Sequence, residues 1–334
     1  MNTLASRLLP AVATLLVAFA GSCVHAAGFQ QGVAADPGGA PLEIGIWYPS
    51  QAALQPLAMG PTTMKVAYNG AVQGKALPLV VISHGTGSSF LGHYDTAIAL
   101  ADAGYVVAAV THAGDNYRDQ SRSADIMDRP RQVSRVIDHM LSSWQDHASI
   151  DPARIGMFGF SAGGFTTLVS IGGVPDFSTV GPMCRQYPAD FACQLLAKTS
   201  SNPAMPVTPA KPAADPRIKA AVVAAPALGF TFAPDGLSNV KVPVQLWRAE
   251  HDVLVPHPRY AEAVRLALPV APEYQVVLGA GHYDFLAPCS AALASLAPAI
   301  CASADGFDRA AFHASFNAAV VRFLTGTLKA GSGN

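Results

Sequence analysis

Residues 157–164 read Met-Phe-Gly-Phe-Ser-Ala-Gly-Gly, and they are the most informative part of the sequence. Residues 159–163 fit the pattern G-x-S-x-G, in which a serine occupies a sharp turn between a strand and a helix. The glycines allow the strand and the helix to approach closely, because a Cβ at those positions would clash. Residues 154–158 predict the strand and residues 162–170 predict the helix. We therefore predict that Ser161 is a nucleophile, and the alternative is a structural serine in a glycine-rich turn.

The composition indicates one globular domain without a nucleic-acid partner. Of the 334 residues, 51% are hydrophobic and 13% are charged, and the formal net charge is −1. A chain of this length can bury a large core within a single α/β domain. The near-neutral charge and the lack of a basic run exclude the charge pattern of a nucleic-acid-binding protein.

The first 26 residues have the pattern of a secretory leader, which leaves a single domain over residues 27–334. Arg7 precedes an apolar run at 8–20, and the small residues that follow predict cleavage after Ala26. The apolar run is too short to predict a transmembrane anchor. The competing interpretation is a lipoprotein signal acylated at Cys23, which would bring the protein to a membrane. We favour a periplasmic or secreted protein without this anchor.

Four cysteines would remain after cleavage: Cys184, Cys193, Cys289 and Cys301. Four cysteines allow three pairings, and the short spacings favour two local bridges, Cys184–Cys193 and Cys289–Cys301. Such bridges are typical of an oxidising compartment, and free buried thiols are the alternative. The spacings match neither a metal site nor a C-x-x-C redox motif. We therefore expect no metal and no other cofactor.

Strand-like and helix-like segments alternate along the chain, which predicts an α/β fold with a mostly parallel sheet covered by helices. The apolar run at 79–83 predicts a buried strand, and helical spacing of apolar residues predicts a helix at 131–144. Two more strands, at 43–48 and 63–68, are expected at an antiparallel edge. The other predicted strands are 105–110, 155–158, 218–225, 242–247 and 274–278, and the other predicted helices are 92–103, 258–267 and 309–328.

Two stretches interrupt this alternation. Residues 172–216 are rich in Pro, Gly and Ser, and we interpret them as a small lid-like insertion over the site. Residues 286–306 form a second, Ala-rich insertion that contains the other cysteine pair.

A base and an acid follow Ser161 in the chain order Ser, Asp, His. A serine hydroxyl needs a histidine to accept its proton and a carboxylate to orient that histidine. Asp252 and His282 each follow a predicted strand, which places both at the carboxyl edge of a parallel sheet. Glu250 is the reserve candidate for the acid. The weaker rivals for the base are His251 and His257, whereas His139, His147 and His313 are expected to be structural or exposed.

An oxyanion hole needs two backbone N–H groups that point at the developing negative charge. The residue after the nucleophile, Ala162, is expected to supply one of them. The glycine-rich loop 84–89 is expected to supply the other, from Thr86 or alternatively from Gly85. His84 precedes these donors, and we interpret it as a structural histidine beneath the loop.

Together these motifs resemble the α/β-hydrolase superfamily, and in particular the dienelactone-hydrolase group near the bacterial relatives of platelet-activating-factor acetylhydrolase. The resemblance rests on residues 84–87, 111–116, 159–164, Asp252 and 281–282, and it extends over about residues 40–327. It implies the α/β-hydrolase fold and an esterase. True dienelactone hydrolases use a cysteine nucleophile where this chain has Ser161, so dienelactone activity is not expected.

We predict an exported serine hydrolase that cleaves small-molecule carboxylic esters through an acyl-enzyme. The resemblance alone implies a preference for short acyl chains. A peptidase or amidase could use the same triad. A lipid-surface acetylhydrolase or lipase would require an apolar lid patch, with Phe177, Tyr187 and Phe191 as its candidates. The alternative for these aromatics, which we slightly favour, is ordinary lid packing. A binding module on this fold is the non-catalytic alternative.

Overall fold

A computed structural model of the protein describes residues 26–199 and 214–328. Two predicted segments lie outside these ranges: the leader up to residue 25, with Cys23, and residues 200–213 of the lid. The strands of the described residues are β1 (Ala26–Ala34), β2 (Leu42–Ser50), β3 (Gln55–Met59), β4 (Thr62–Tyr68), β5 (Leu77–Ser83), β6 (Val106–Thr111), β7 (Ile150–Phe160), β8 (Ile218–Ala224), β9 (Val244–Ala249) and β10 (Glu273–Val277).

These strands form one sheet in the order β10-β9-β8-β7-β5-β6-β2-β1-β4-β3. Neighbours from β10 to β6 all pair in parallel, whereas β2 is antiparallel to both β6 and β1. Strand β5 lies near the centre and all seven of its residues are buried, which explains its continuous apolar sequence. The predicted mostly parallel sheet is therefore confirmed.

Helices connect the strands and cover both faces of the sheet. They are α1 (Tyr94–Asp102), α2 (Asp128–Ser142), α3 (Ala162–Ser170), α4 (Val180–Gln186), α5 (Phe191–Thr199), α6 (Ala261–Ala267), α7 (Ala291–Leu296), α8 (Pro298–Cys301) and α9 (Arg309–Thr327). Helices α2, α3 and α6 pack into one hydrophobic core, and α1 and α9 pack into the other. In the described ranges, no helix combines the length and the apolar character that crossing a membrane requires.

One expectation about the sheet was wrong. The strand predicted at 43–48 corresponds to β2, which lies between β6 and β1 rather than at an edge. The reason is β1, which the sequence pattern does not reveal because it begins at Ala26, the last residue of the predicted leader. Its residues pair along the whole length of β2, from Ala26 with Ser50 to Ala34 with Leu42.

The two insertions contain helices that their sequences do not predict. The described part of the first insertion forms α4 and α5, which a disulfide between Cys184 and Cys193 joins. The second insertion forms α7 and α8, and a disulfide joins Cys289 to Cys301. Both pairs are those favoured by their spacing.

Candidate active site

Ser161 lies at the turn between β7 and α3, with φ 55° and ψ −117°. A non-glycine residue rarely adopts this conformation, which costs about 1–3 kcal/mol when the surrounding structure enforces it. The Ser161 N–H donates to the carbonyl of Ala224 at 3.0 Å, and the Ser161 carbonyl accepts from Phe165 at 3.1 Å and Ala227 at 2.9 Å. The neighbouring strand and helix therefore hold the turn in its strained form.

The glycine after the serine turn allows a close backbone contact. A Cβ at Gly163 would lie 1.9 Å from the carbonyl oxygen of Ser83, at the end of β5. No side chain fits there, so α3 can begin directly beside the strand that leads into the glycine-rich loop. The G-x-S-x-G spacing is thus explained by the packing of α3 against β5.

His282 and Asp252 form a buried pair on the same side of the sheet. The His282 Nδ1 lies 2.7 Å from Asp252 Oδ2, and both side chains are almost fully buried. The other carboxylate oxygen of Asp252 accepts the N–H groups of Leu254 at 3.0 Å and Val255 at 2.8 Å. Because an ionised carboxylate only accepts, His282 carries a proton on Nδ1 and leaves Nε2 as its basic atom.

The rival residues lie elsewhere. Glu250 accepts the N–H of Gly279 at 2.8 Å and contacts the exposed His251 rather than His282. His257 is also exposed. His313 is buried and bonds through Nδ1 to Asp95 at 2.6 Å, which fits the structural role expected for it.

A cavity of about 450 Å³ opens at Ser161 and His282, which both line it. Its walls come from loop 84–89, from the turn between β3 and β4, from Phe191 of the lid and from the second insertion. Asp252 lies behind His282. The structure thus brings the three predicted triad residues together at one cavity.

A second, smaller recess of about 50 Å³ also adjoins Ser161. It is mostly apolar, and its walls include Ala162, Tyr260 and the lid helix α5. Phe191 and Leu254 line both the large cavity and this recess, as do Thr86 and Ser161. Phe191 and Leu254 therefore lie where the two spaces meet.

The loop predicted to supply an oxyanion donor lies against the serine. A Cβ at Gly85 would lie 3.3 Å from the Ser161 Cβ, and Thr86 lines both the cavity and the recess. The Thr86 N–H has no hydrogen-bond partner among the described residues. Ala162 is the first residue of α3, where an N–H has no partner within the helix.

His84 lies beneath this loop, as expected from its position in the sequence. Its Nδ1 donates to the Gly85 carbonyl at 2.6 Å, and its Nε2 accepts the N–H of His112 at 3.0 Å. Burial and the nearby Arg129 charge hold the pKa of His84 well below its ordinary value. His84 is therefore a neutral structural group.

Two buried charged residues near this loop are not revealed by the sequence pattern. Arg129 and Asp115 form an ion pair at 2.6 Å with both side chains almost fully buried. The only signal in the sequence is that Asp115 falls within 111–116, one of the segments that carry the resemblance.

The three lid aromatics have different positions. Phe177 is buried and packs against Phe165, with ring centroids 6.1 Å apart. The Tyr187 ring lies 4.0 Å from the guanidinium of Arg259. Only Phe191 lines the cavity, so these three residues do not form an exposed apolar patch.

Within residues 26–199 and 214–328, no three His, Cys, Asp or Glu side chains come together as a metal site would require.

Comparison with known proteins agrees with this architecture. The structure is similar to the solved structure of a ferulic acid esterase from Streptomyces cinnamoneus, with a TM-score of 0.62 and 19% sequence identity over 93% of this chain and 92% of that one. The chain has the α/β-hydrolase fold. Residues 49–135 match the family described as platelet-activating factor acetylhydrolase, isoform II. No curated protein sequence gave a significant match.

Proposed function

We propose that this protein is a serine hydrolase that cleaves carboxylic esters of small molecules. The observation that carries the proposal is the strained Ser161 at a cavity that it shares with His282, whose Nδ1 is bound to Asp252. The similarity to an esterase structure and to the acetylhydrolase family supports ester hydrolysis as the reaction.

In the proposed reaction, the Ser161 Oγ attacks the ester carbonyl carbon while His282 Nε2 accepts the hydroxyl proton. Asp252 holds the imidazole by its Nδ1–H and stabilises the imidazolium. The tetrahedral intermediate then expels the alcohol, which takes the proton from Nε2. A water molecule, deprotonated by His282, attacks the resulting acyl-serine and releases the acid.

The backbone N–H groups of Thr86 and Ala162 are the proposed oxyanion donors. Both belong to residues that border Ser161, and neither has a competing partner in the arrangement described above. Donors fixed in advance stabilise the negative oxygen without reorganisation, and the loss of one typically lowers kcat about 10²–10³-fold.

We assign the acyl group of the substrate to the small recess and the alcohol to the large cavity. The recess measures about 50 Å³, whereas one water molecule needs about 10–15 Å³ of such space, so the recess accepts a group of a few heavy atoms. Its apolar walls favour a short alkyl chain. This size supports the preference for short acyl groups.

We infer that the protein acts outside the cytoplasm. Two local disulfides join cysteines of the insertions, and disulfides persist mainly in oxidising compartments. The leader-like sequence at the N-terminus supports the same location.

The replacement Ser161→Ala tests this function. We expect kcat for p-nitrophenyl acetate to fall about 10⁵–10⁶-fold, because the nucleophile is lost while the fold is kept. A fluorophosphonate probe should label the wild type at Ser161 and leave the variant unlabelled. Full turnover by Ser161→Ala, or labelling of another serine, would refute the assignment.

A further inference from the structure

A buried ion pair, Arg129 with Asp115, lies beneath the loop that carries Thr86. The Arg129 side chain is 2% exposed and the Asp115 side chain is 4% exposed. Such a pair loses most of its hydration on folding, and replacing it by apolar residues is often neutral or even stabilising. Its presence therefore calls for an explanation other than stability.

Both members of the pair contact the backbone of the loop. Arg129 donates to the carbonyl of His84 at 2.7 Å and to that of Gly85 at 3.4 Å. Asp115 accepts the N–H of Gly87 at 3.0 Å, and its position is fixed further by the hydroxyl of Ser123 at 2.8 Å. The ion pair thus holds polar groups on both sides of Thr86.

These contacts determine the direction of the Thr86 N–H. The Gly85–Thr86 peptide bond is trans, so the Gly85 carbonyl and the Thr86 N–H point in opposite directions. His84 and Arg129 hold that carbonyl toward the interior. The Thr86 N–H therefore points away from His84 and Arg129, and Thr86 lines the cavity that Ser161 also lines.

We propose that the Arg129–Asp115 pair is a positioning device that holds the oxyanion loop so that the Thr86 N–H points at the reacting carbonyl. This inference rests on the proposed function. Neither side chain needs to touch the substrate. Without the pair, the loop has fewer anchors and the donor no longer stays at its required position.

The kinetic consequence is specific. A donor that is misplaced by about 1 Å can cost about 10²-fold in rate. Because the oxyanion forms in the transition state, the loss falls on kcat rather than on KM. If the pair had only a structural role, its loss would lower thermal stability without lowering kcat at constant KM.

The test compares Arg129→Met and Arg129→Lys with the matched control Arg131→Met, using p-nitrophenyl acetate and thermal unfolding. Arg131 lies on the same helix and pairs with the buried Asp36, but its hydrogen bonds go to Asp36 and Asp128 and none to the loop. We expect Arg129→Met to lose about 10²-fold in kcat at nearly constant KM. Arg129→Lys keeps a positively charged donor group, so its loss in kcat should be smaller. Arg131→Met should keep the wild-type kcat.

Amide hydrogen exchange in loop 84–89 provides a readout that does not depend on ester turnover. Faster exchange of the Gly87 N–H in Arg129→Lys or Arg129→Met, but not in Arg131→Met, supports the proposal. Unchanged exchange together with unchanged kcat would overturn it. If Arg129→Met fails to fold, the measurement on Arg129→Lys alone still decides the outcome. If the wild type hydrolyses no ester, the proposed function fails, and the exchange result still decides whether the pair fixes the loop.

Discussion

The loops at the strand ends and the two insertions line the same cavity but are held in different ways. The Ser161 turn, the Asp252–His282 pair and loop 84–89 are fixed by buried hydrogen bonds to the sheet and its helices. The insertions are closed by their own disulfides, Cys184–Cys193 and Cys289–Cys301. The proposed reacting groups thus depend on the fold, whereas each insertion also carries a local cross-link of its own.

Polar contacts also attach the described residues of the insertions to the rest of the molecule, and Arg309 of α9 donates to the carbonyls of Ile300 and Ala302 in the second insertion. In the lid, buried Asp190 accepts from Tyr260 and contacts Arg259 at 3.4 Å, just before α6. In the second insertion, the Ser290 hydroxyl donates to the Pro61 carbonyl at 2.5 Å. The comparison teaches that changes in the strand-end loops should alter the rate of the reaction, whereas changes in the insertions should alter which substrates fit.

After Ser161→Ala, the largest effect is expected from Asp252→Asn. An asparagine keeps the size of the side chain but cannot hold the Nδ1–H tautomer of His282, so kcat should fall about 10⁴-fold. The matched control is Glu250→Gln, a change two residues away on a side chain that contacts Gly279 and His251 instead. For the control we expect kcat within about twofold of the wild type. Comparable losses in both variants would contradict the assignment of the acid.

The residues that the sequence predicts correctly are those whose spacing reflects local geometry. The helix expected at 162–170 is α3 itself, and β5 and β9 overlap the predicted apolar runs. In the same way, the chain order and the position after a strand select Asp252 and His282, which the structure places in a buried pair, and their catalytic roles stay a prediction. Such signals are local because they depend on one strand and the turn that follows it.

The residues that the sequence does not reveal act over long separations. Arg129 contacts His84 across 45 positions and Asp115 across 14. The pair Asp190 and Tyr260 is separated by 70 positions. Charged residues in a sequence are ordinarily solvated, and only the folded chain shows that these are buried against the loops they support.

Acid pH is expected to lower the stability of the folded protein through a buried histidine, His93. His93 packs between Phe158 and Phe160, and burial lowers its pKa to about 4. As the pH falls from about 6.5 to about 4, the unfolded chain binds a proton at this site that the folded protein does not, so stability is lost in that range. The loss approaches about 3 kcal/mol and is absent above about pH 6.5.

Urea unfolding of His93→Phe at pH 7.5 and pH 4.5 measures this contribution. We expect the variant to lose about 2–3 kcal/mol less than the wild type between the two pH values. The matched control is His251→Gln, because the His251 side chain is 63% exposed and its replacement should leave the pH dependence unchanged. An identical pH dependence in wild type and His93→Phe would show that burial of this imidazole does not govern acid stability.

The smallest effect is expected from Phe191→Ala, a change in the first insertion. Phe191 lines both the recess and the large cavity, so its removal should enlarge the space next to Ser161 where the two meet. A longer acyl chain could then extend past the recess, and each additional buried methylene contributes about 0.8 kcal/mol. We expect the ratio of kcat/KM for octanoate over acetate p-nitrophenyl esters to rise about tenfold, because two methylenes are enough for that factor.

The control for this change is Phe177→Ala, which removes a lid aromatic that packs against Phe165 and lines neither space. If both variants shift the chain-length profile equally, the lid acts through its overall packing rather than through the space that the Phe191 side chain occupies. If Phe191→Ala lowers kcat for every ester by the same factor, the lid supports the reacting groups directly. That second result would contradict the proposed difference between strand-end loops and insertions, because a residue of the lid would then control the chemical step.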